Sequence, residues 1–213
     1  MRRLCTLLFL VIGISAFSQG NFRFGLHFSP NIGWVSPTTN GYEKDGSAAN
    51  YGFGLNAEFG LGTGENYAIA TGIGGTNISG AILSEGASDN FKVNAKYIDI
   101  PVAIKLKTNQ IGYMTYFGKF GLSNAILVGA KSESGDVTNQ EFHKNMIPVR
   151  SGLLVGFGAE YNISGKTNIL VGVDFNNGFT GLFKKDAFKD GNNEDLKIKA
   201  KNSLISLNLG VFF

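Results

Sequence analysis

Ser203-Leu204-Ile205-Ser206-Leu207-Asn208-Leu209-Gly210-Val211-Phe212-Phe213 is the stretch whose reading decides the fold. Its alternate residues Ile205, Leu207, Leu209, Val211 and Phe213 are all apolar. The interleaved set, Leu204, Ser206, Asn208, Gly210 and Phe212, is smaller and more polar. A repeat of two marks a strand, whose side chains point alternately to opposite faces. The length is close to the roughly 9–11 residues that a tilted strand needs to cross a bilayer. Ending on an aromatic suits the closing strand of an outer-membrane barrel, with the last ring at the interface. The expectation is that the other segments alternate in the same way, come in an even number, and that the first pairs with this one.

They do alternate. Phe22, Phe24, Leu26 and Phe28 share a face, with Ile32 and Trp34 keeping the parity beyond Pro30. Tyr51, Phe53, Leu55, Ala57 and Phe59 form a second set, and Tyr67, Ile69, Thr71 and Ile73 a third, Gly-rich one. Ile98, Ile100, Val102, Ile104 and Leu106 are the clearest. Met114, Tyr116, Phe120 and Leu122 follow, then Leu153, Val155, Phe157, Ala159 and Tyr161, then Ile169, Val171, Val173 and Phe175. With the C-terminal strand this makes eight. The connections alternate long and short, with loops at 36–50, 84–90, 131–145 and 178–202 and short turns at 62–66, 107–110 and 164–166. The predicted fold class is therefore all-β, an eight-stranded antiparallel up-and-down transmembrane β-barrel with both termini in the periplasm. A sandwich would not need the loop alternation, and a lipocalin-like barrel would turn the apolar face inward. Trp34, Tyr51, Tyr67, Tyr161 and Phe213 fall near strand ends on the apolar parity, where interfacial aromatic girdles belong.

The front end reads as a sorting signal. Arg2 and Arg3 precede a short apolar core from Leu4 to Ile14, and Ala16-Phe17-Ser18 offers small residues to a signal peptidase. Residues 1–18 are assigned to a signal peptide and 19–213 to the barrel domain. The apolar run falls short of the roughly 20 residues of a transmembrane helix. Cys5 precedes the apolar core, whereas a lipoprotein cysteine would follow it, and no cysteine remains after cleavage. Loss of Arg2 and Arg3 leaves 17 basic against 16 acidic residues, and no basic stripe points to nucleic acid. Thirty glycines, four prolines and no later long apolar run argue against a helical membrane protein.

If the apolar face meets lipid, the lumen receives Arg23, His27, Glu58, Asp99, Lys105, Lys119, Glu160 and Asp174. Charges inside a narrow barrel must be paired and hydrogen-bonded. A plug of ion pairs is the expected arrangement, with a selective pore or a proton path as the alternatives. Many lumen-parity positions are glycine, which eases tight curvature.

Catalytic signals are weak. His27 and His143 are the only histidines. A Ser-His-acid arrangement on a lipid-modifying hydrolase is defined by geometry, and no acid lies near His27 in sequence. Gly60-x-Gly62-x-Gly64 resembles a phosphate-cradling loop only as text, since it joins two strands rather than opening a helix. The acidic tip from Asp190 to Asp195 lacks the ligand spacing of an EF-hand. No catalytic residue, metal or cofactor is assigned.

Several stretches resemble the PorT family of Bacteroidetes outer-membrane barrels. The signal ending Ala16-Phe17-Ser18-Gln19 suits that phylum. Phe24-Gly25-Leu26-His27-Phe28-Ser29-Pro30-Asn31 is similar to the family's first strand. Tyr97-Ile98-Asp99-Ile100-Pro101-Val102-Ala103-Ile104-Lys105 is similar to its most recognisable motif, an aromatic, an acid, then Ile-Pro and an apolar run. The segments 111–121 and 175–179 add to the likeness, which covers essentially the whole mature chain. The resemblance implies an outer-membrane barrel with no catalytic residues to carry over, expected to be either an accessory of the type IX protein secretion and gliding machinery or a structural barrel. Its partners would be outer-membrane lipid and other outer-membrane or secretion-machinery proteins. The alternatives are a porin-like channel for small solutes and a lipid-modifying enzyme.

Overall fold

Twelve strands make up most of the chain in the computed structural model, which describes residues 22–213 apart from 63, 65, 85–89, 135–136, 185, 190–194 and 197. They are β1 (Phe22–Pro37), β2 (Tyr42–Lys44), β3 (Ala48–Gly60), β4 (Tyr67–Ser84), β5 (Asn90–Lys107), β6 (Met114–Ser134), β7 (Val137–Glu141), β8 (Val149–Ser164), β9 (Thr167–Gly178), β10 (Phe188–Lys189), β11 (Asp195–Leu196) and β12 (Ala200–Phe212). Eight of them form a closed antiparallel wall in the order β1-β3-β4-β5-β6-β8-β9-β12, and β12 returns to pair with β1. Closure leaves no edge for another chain to extend. The short β2 and β7 extend the rim beside β4 and β6, and β10 with β11 forms a separate ribbon.

The polarity of the wall excludes a soluble barrel. Phe53 and Phe157 are 60% and 66% exposed on the outside, while Lys105 on the inside is 1% exposed. Exposed apolar residues continue around the wall through Leu26, Ile104, Phe120, Val171 and Leu209. Such a band is far larger than the few hundred Å² that a water-soluble monomer exposes. Lipid is the solvent that makes it favourable, and a closed barrel satisfies every backbone group there. No helix among the described residues is long and apolar enough to cross a membrane.

Several strands overshoot the bilayer. β6 has 21 residues, which at a barrel tilt rise about 50 Å against an apolar band about 25 Å tall. Above the band the pattern inverts. Along β5, Ile98 to Leu106 face out, but beyond Ile98 the outward residues are Lys92, Asn94 and Lys96. Val93, Ala95 and Tyr97 turn inward and are buried. Water has replaced lipid outside, so the apolar residues move to the inside. A register shift at Lys96/Tyr97, opposite the step from Leu127 to Gly129 on β6, marks the change.

This inversion corrects the expectation of long solvated loops. Phe142, Met146, Leu182, Phe183, Ala187 and Ile198, all in connections, are buried with Val35, Ile78, Ile82 and Leu204 from the wall. Phe91, Phe142, Phe183 and Phe188 form an aromatic cluster with ring centroids 5.0–6.3 Å apart. Backbone bonds tie the two connections together: Ile147 N–H donates to Leu182 C=O at 2.8 Å and Lys184 N–H to Asn145 C=O at 2.9 Å. The end of the barrel opposite the termini thus carries an apolar cap. Residues 1–18, expected to be a signal peptide, and most of the acidic tip, residues 190–194, lie outside the described residues; Asp195 belongs to β11.

Candidate functional site: the blocked lumen

All eight charged or ionisable residues expected inside the barrel are placed there. They fall into layers. At the end near the chain termini, Arg23 (β1), Glu58 (β3), Lys105 (β5) and Glu160 (β8) form one network. Arg23 donates to Glu58 Oε2 at 3.3 Å and to Glu160 Oε2 at 2.7 Å. Lys105 Nζ donates to Glu160 Oε1 at 2.5 Å and also to Glu58 Oε1. Each carboxylate therefore holds both cations, and Lys107 approaches Glu58 at 3.6 Å. Glu58 and Glu160 are each 2% exposed. Isolated charges this deep would be strongly disfavoured, and reciprocal pairing is what makes the burial tolerable.

Two inward aromatics complete the layer. Lys105 Nζ lies 4.1 Å from the Phe117 ring centroid and 5.1 Å from that of Phe212. Arg23 Cζ lies 4.7 Å from the Phe212 centroid. The ring faces carry negative quadrupole and cover the cations where no carboxylate reaches. Phe117 in turn lies against the paired glycines Gly158 and Gly172, where a Cβ on either would meet its ring. Below this layer a vestibule of about 380 Å³, lined by Arg23, Lys107 and Glu160 among others, faces the end with the short turns.

Above the plug lies a polar chamber of about 110 Å³, with room for a few waters. Lys119 and Asp174 pair across it at 2.7 Å. Ser123 Oγ donates to Asp99 Oδ1 at 2.7 Å, and Ser29 Oγ to Asn208 Oδ1 at 2.5 Å. His27 Nδ1, Asp174 Oδ1 and Asn208 Nδ2 are buried with no protein partner, as groups that meet ordered water commonly are. Gly156 faces the same space: a Cβ there would collide with Asp174 Oδ1 and Lys119 Cε, so glycine makes room for the pair.

The chamber is roofed by Arg150, which is 3% exposed. Its Nε donates to Asn202 Oδ1 at 2.6 Å and its Nη2 to Asn176 Oδ1 at 2.7 Å. The apolar cap lies beyond.

The expected interfacial aromatics Tyr51, Tyr67, Tyr161 and Phe213 are exposed on the outside of the wall. Trp34 is half-buried, stacked on Phe175 with Lys44 Nζ 5.0 Å from its centroid. His27 lies in the chamber and His143 is exposed in a 3-10 turn on the rim that carries the cap, so the two histidines belong to different parts of the molecule. Among the described residues no group of three or more His, Cys, Asp or Glu side chains is placed to hold a metal.

Sequence reasoning missed Arg150, Lys107, Phe117 and Phe212 as lumen elements. Arg150 shares its parity with Gly152, Leu154 and Gly156, so reading the inward alternation back by one more step from Gly152 finds it. Phe117 and Phe212 lie on the inward parity but break its small, polar character, and periodicity alone assigns such residues no role.

A closed eight-stranded wall with a lipid-compatible exterior and a charge-filled interior defines an outer-membrane β-barrel. A family model described as outer membrane protein beta-barrel domain matches residues 17–184, and the chain belongs to that family. Among solved structures it is similar to the outer membrane protein OprG from Pseudomonas aeruginosa, with a TM-score of 0.55 and 12% identity over 91% of this chain and 96% of that one. It is also similar to Neisserial surface protein A, at a TM-score of 0.47 and 14% identity over 90% and 95%. The outer membrane protease OmpT from Escherichia coli gives 0.46 and 11% over 91% and 96%. No curated protein matches the sequence. At these identities the likeness to OprG speaks to the fold alone.

Proposed function

We propose that this protein is a closed, non-enzymatic outer-membrane barrel that acts through its outer collar and its wall, as an accessory of type IX protein export. The observation that carries the closed reading is the double blockage of the lumen. A salt-bridge plug with two phenylalanines obstructs one end and an apolar cap the other. A porin-like channel would need both to move. The termini lie at the plug end and face the periplasm, with the cap and collar outside; long connections at one end and short turns at the other support this orientation. The export role rests on the resemblance of residues 97–105 and the other quoted stretches to the PorT family.

Two experiments test the reading. Refolded protein in planar bilayers is expected to be electrically silent; steady conductance would establish the channel instead. A clean deletion strain, complemented in trans, is expected to trap secretion cargo in the periplasm. Normal secretion would remove the export role and leave the closed barrel standing.

A further inference from the structure

On the outside of the barrel, where β5 and β6 leave the apolar band, the wall carries a groove of about 670 Å³. One end is formed by Val128, 58% exposed and two residues along β6 beyond the lipid-facing pair Ile98 and Ile126. The rest is lined by Lys96, Lys131, His143 and Lys144, with Glu141 as the only carboxylate among the described lining residues. Asn94 and Asn145 add neutral polar groups.

The height of the cations is informative. Two residues of tilted strand place Lys96 about 5 Å above Ile98, inside the headgroup layer of a bilayer. Lys96 and Lys144 are exposed, and the cross-strand neighbours of Lys96, Asn77 and Gly129, carry no charge. Lys131 stands in register with Glu141 on β7. The groove therefore offers hydrocarbon at one end and ammonium groups at the other, on the surface that abuts lipid. Long lysine stems suit that position, since they follow the apolar wall while the charge stays in the polar layer.

We propose that this groove binds the phosphorylated headgroup of an outer-leaflet lipid, with acyl chains running down over Val128, Ile126 and Ile98. Charge complementarity and continuity with the lipid-facing band select this occupant over a soluble partner. The outer-leaflet assignment rests on the orientation proposed above; binding itself does not.

The test is native mass spectrometry of the refolded mature chain in detergent, with diphosphoryl lipid A or the same lipid stripped of phosphate as probe. The wild type is expected to retain the diphosphoryl form preferentially. Lys96→Gln with Lys144→Gln should weaken that retention about tenfold, from two surface lysines acting on phosphate. The variant's unheated gel mobility is the folding control, and Lys166→Gln, on a turn at the opposite end, should retain the lipid as the wild type does. Equal retention of both lipids by the wild type, or unchanged retention by the folded double variant, overturns the proposal. Displacement by millimolar inorganic phosphate does so too, since it would make the groove a free-anion site. Orientation is read separately: Ser47→Cys should react with a membrane-impermeant maleimide on intact cells, and absence of labelling overturns the outer-leaflet assignment alone.

Discussion

Arg23 Nη2 and Glu160 Oε2 lie 2.7 Å apart, although their strands, β1 and β8, are separated in the wall by β12 and β9. The bond crosses the lumen rather than running along the sheet. It shares Glu160 with Lys105, which reaches in from another direction. Removing one member therefore strands charges on several strands at once.

Lys105→Met is expected to destabilise the barrel by about 3–5 kcal/mol, the usual result of breaking a buried pair and leaving its partner uncompensated. Glu58 and Glu160 would then share Arg23 and the more distant Lys107. Lys166→Met, on an exposed turn, should change stability by less than about 0.5 kcal/mol. Denaturant unfolding of the refolded protein, followed by the loss of its fast-migrating gel band, measures both. Equal effects would mean that the plug carries no stabilising role.

Gly156→Ala tests the second layer. The added methyl meets both Asp174 and Lys119, so the pair must part or the wall must shift, an overpacking cost of about 1–3 kcal/mol. Gly129→Ala is the control, because a methyl group there would meet nothing within 4 Å. It should be neutral or slightly stabilising, and the same unfolding assay separates the two.

Leu209 sits midway along the exposed face of β12. Leu209→Arg should cost roughly 2–4 kcal/mol of membrane stability, while Val128→Arg, at the edge of the band, should cost about 0–1 kcal/mol. Folding titrations into lipid vesicles give the ratio. Equal penalties would contradict the depth assigned to the two positions.

Phe183→Ala removes one ring from the aromatic cluster of the cap, a truncation that commonly costs about 3–5 kcal/mol. The damage should stay local. Limited proteolysis is expected to cut the 178–202 connection faster, while the unheated gel mobility stays that of a folded barrel. Conductance should remain absent, because the Arg23–Glu58–Lys105–Glu160 plug is untouched. Loss of the folded band would show that cap and wall unfold as one.

The sequence was legible wherever the surroundings of a strand were uniform. From Ile98 to Leu106 lipid lies on one side and a polar lumen on the other, so alternation gives both the strand and its orientation. It failed beyond Tyr97, where the outer solvent becomes water and the same alternation carries the opposite meaning. Phe91, Val93 and Ala95 then point inward, toward Phe142 and Phe183 from connections whose composition reads as solvated. The lumen residues were legible individually by parity. Their partners were not, because Arg23 and Glu160 are 137 positions apart and only closure of the ring brings them together.

The seam between β1 and β12 joins residues about 175 positions apart, such as Asn31 and Ser206. Closing a chain segment of that length costs about 3 kcal/mol more entropy than closing a tight hairpin. Neighbouring hairpins are thus favoured to form before the seam. Arg23 stands opposite Glu58 once β1 and β3 pair, but it gains Glu160 only when the ring shuts. The last ion pair acts as a latch: until the cylinder is complete, Glu160 has lysine but no arginine, and the unclosed sheet lacks the bond that reaches across the closing seam from β1 to β8.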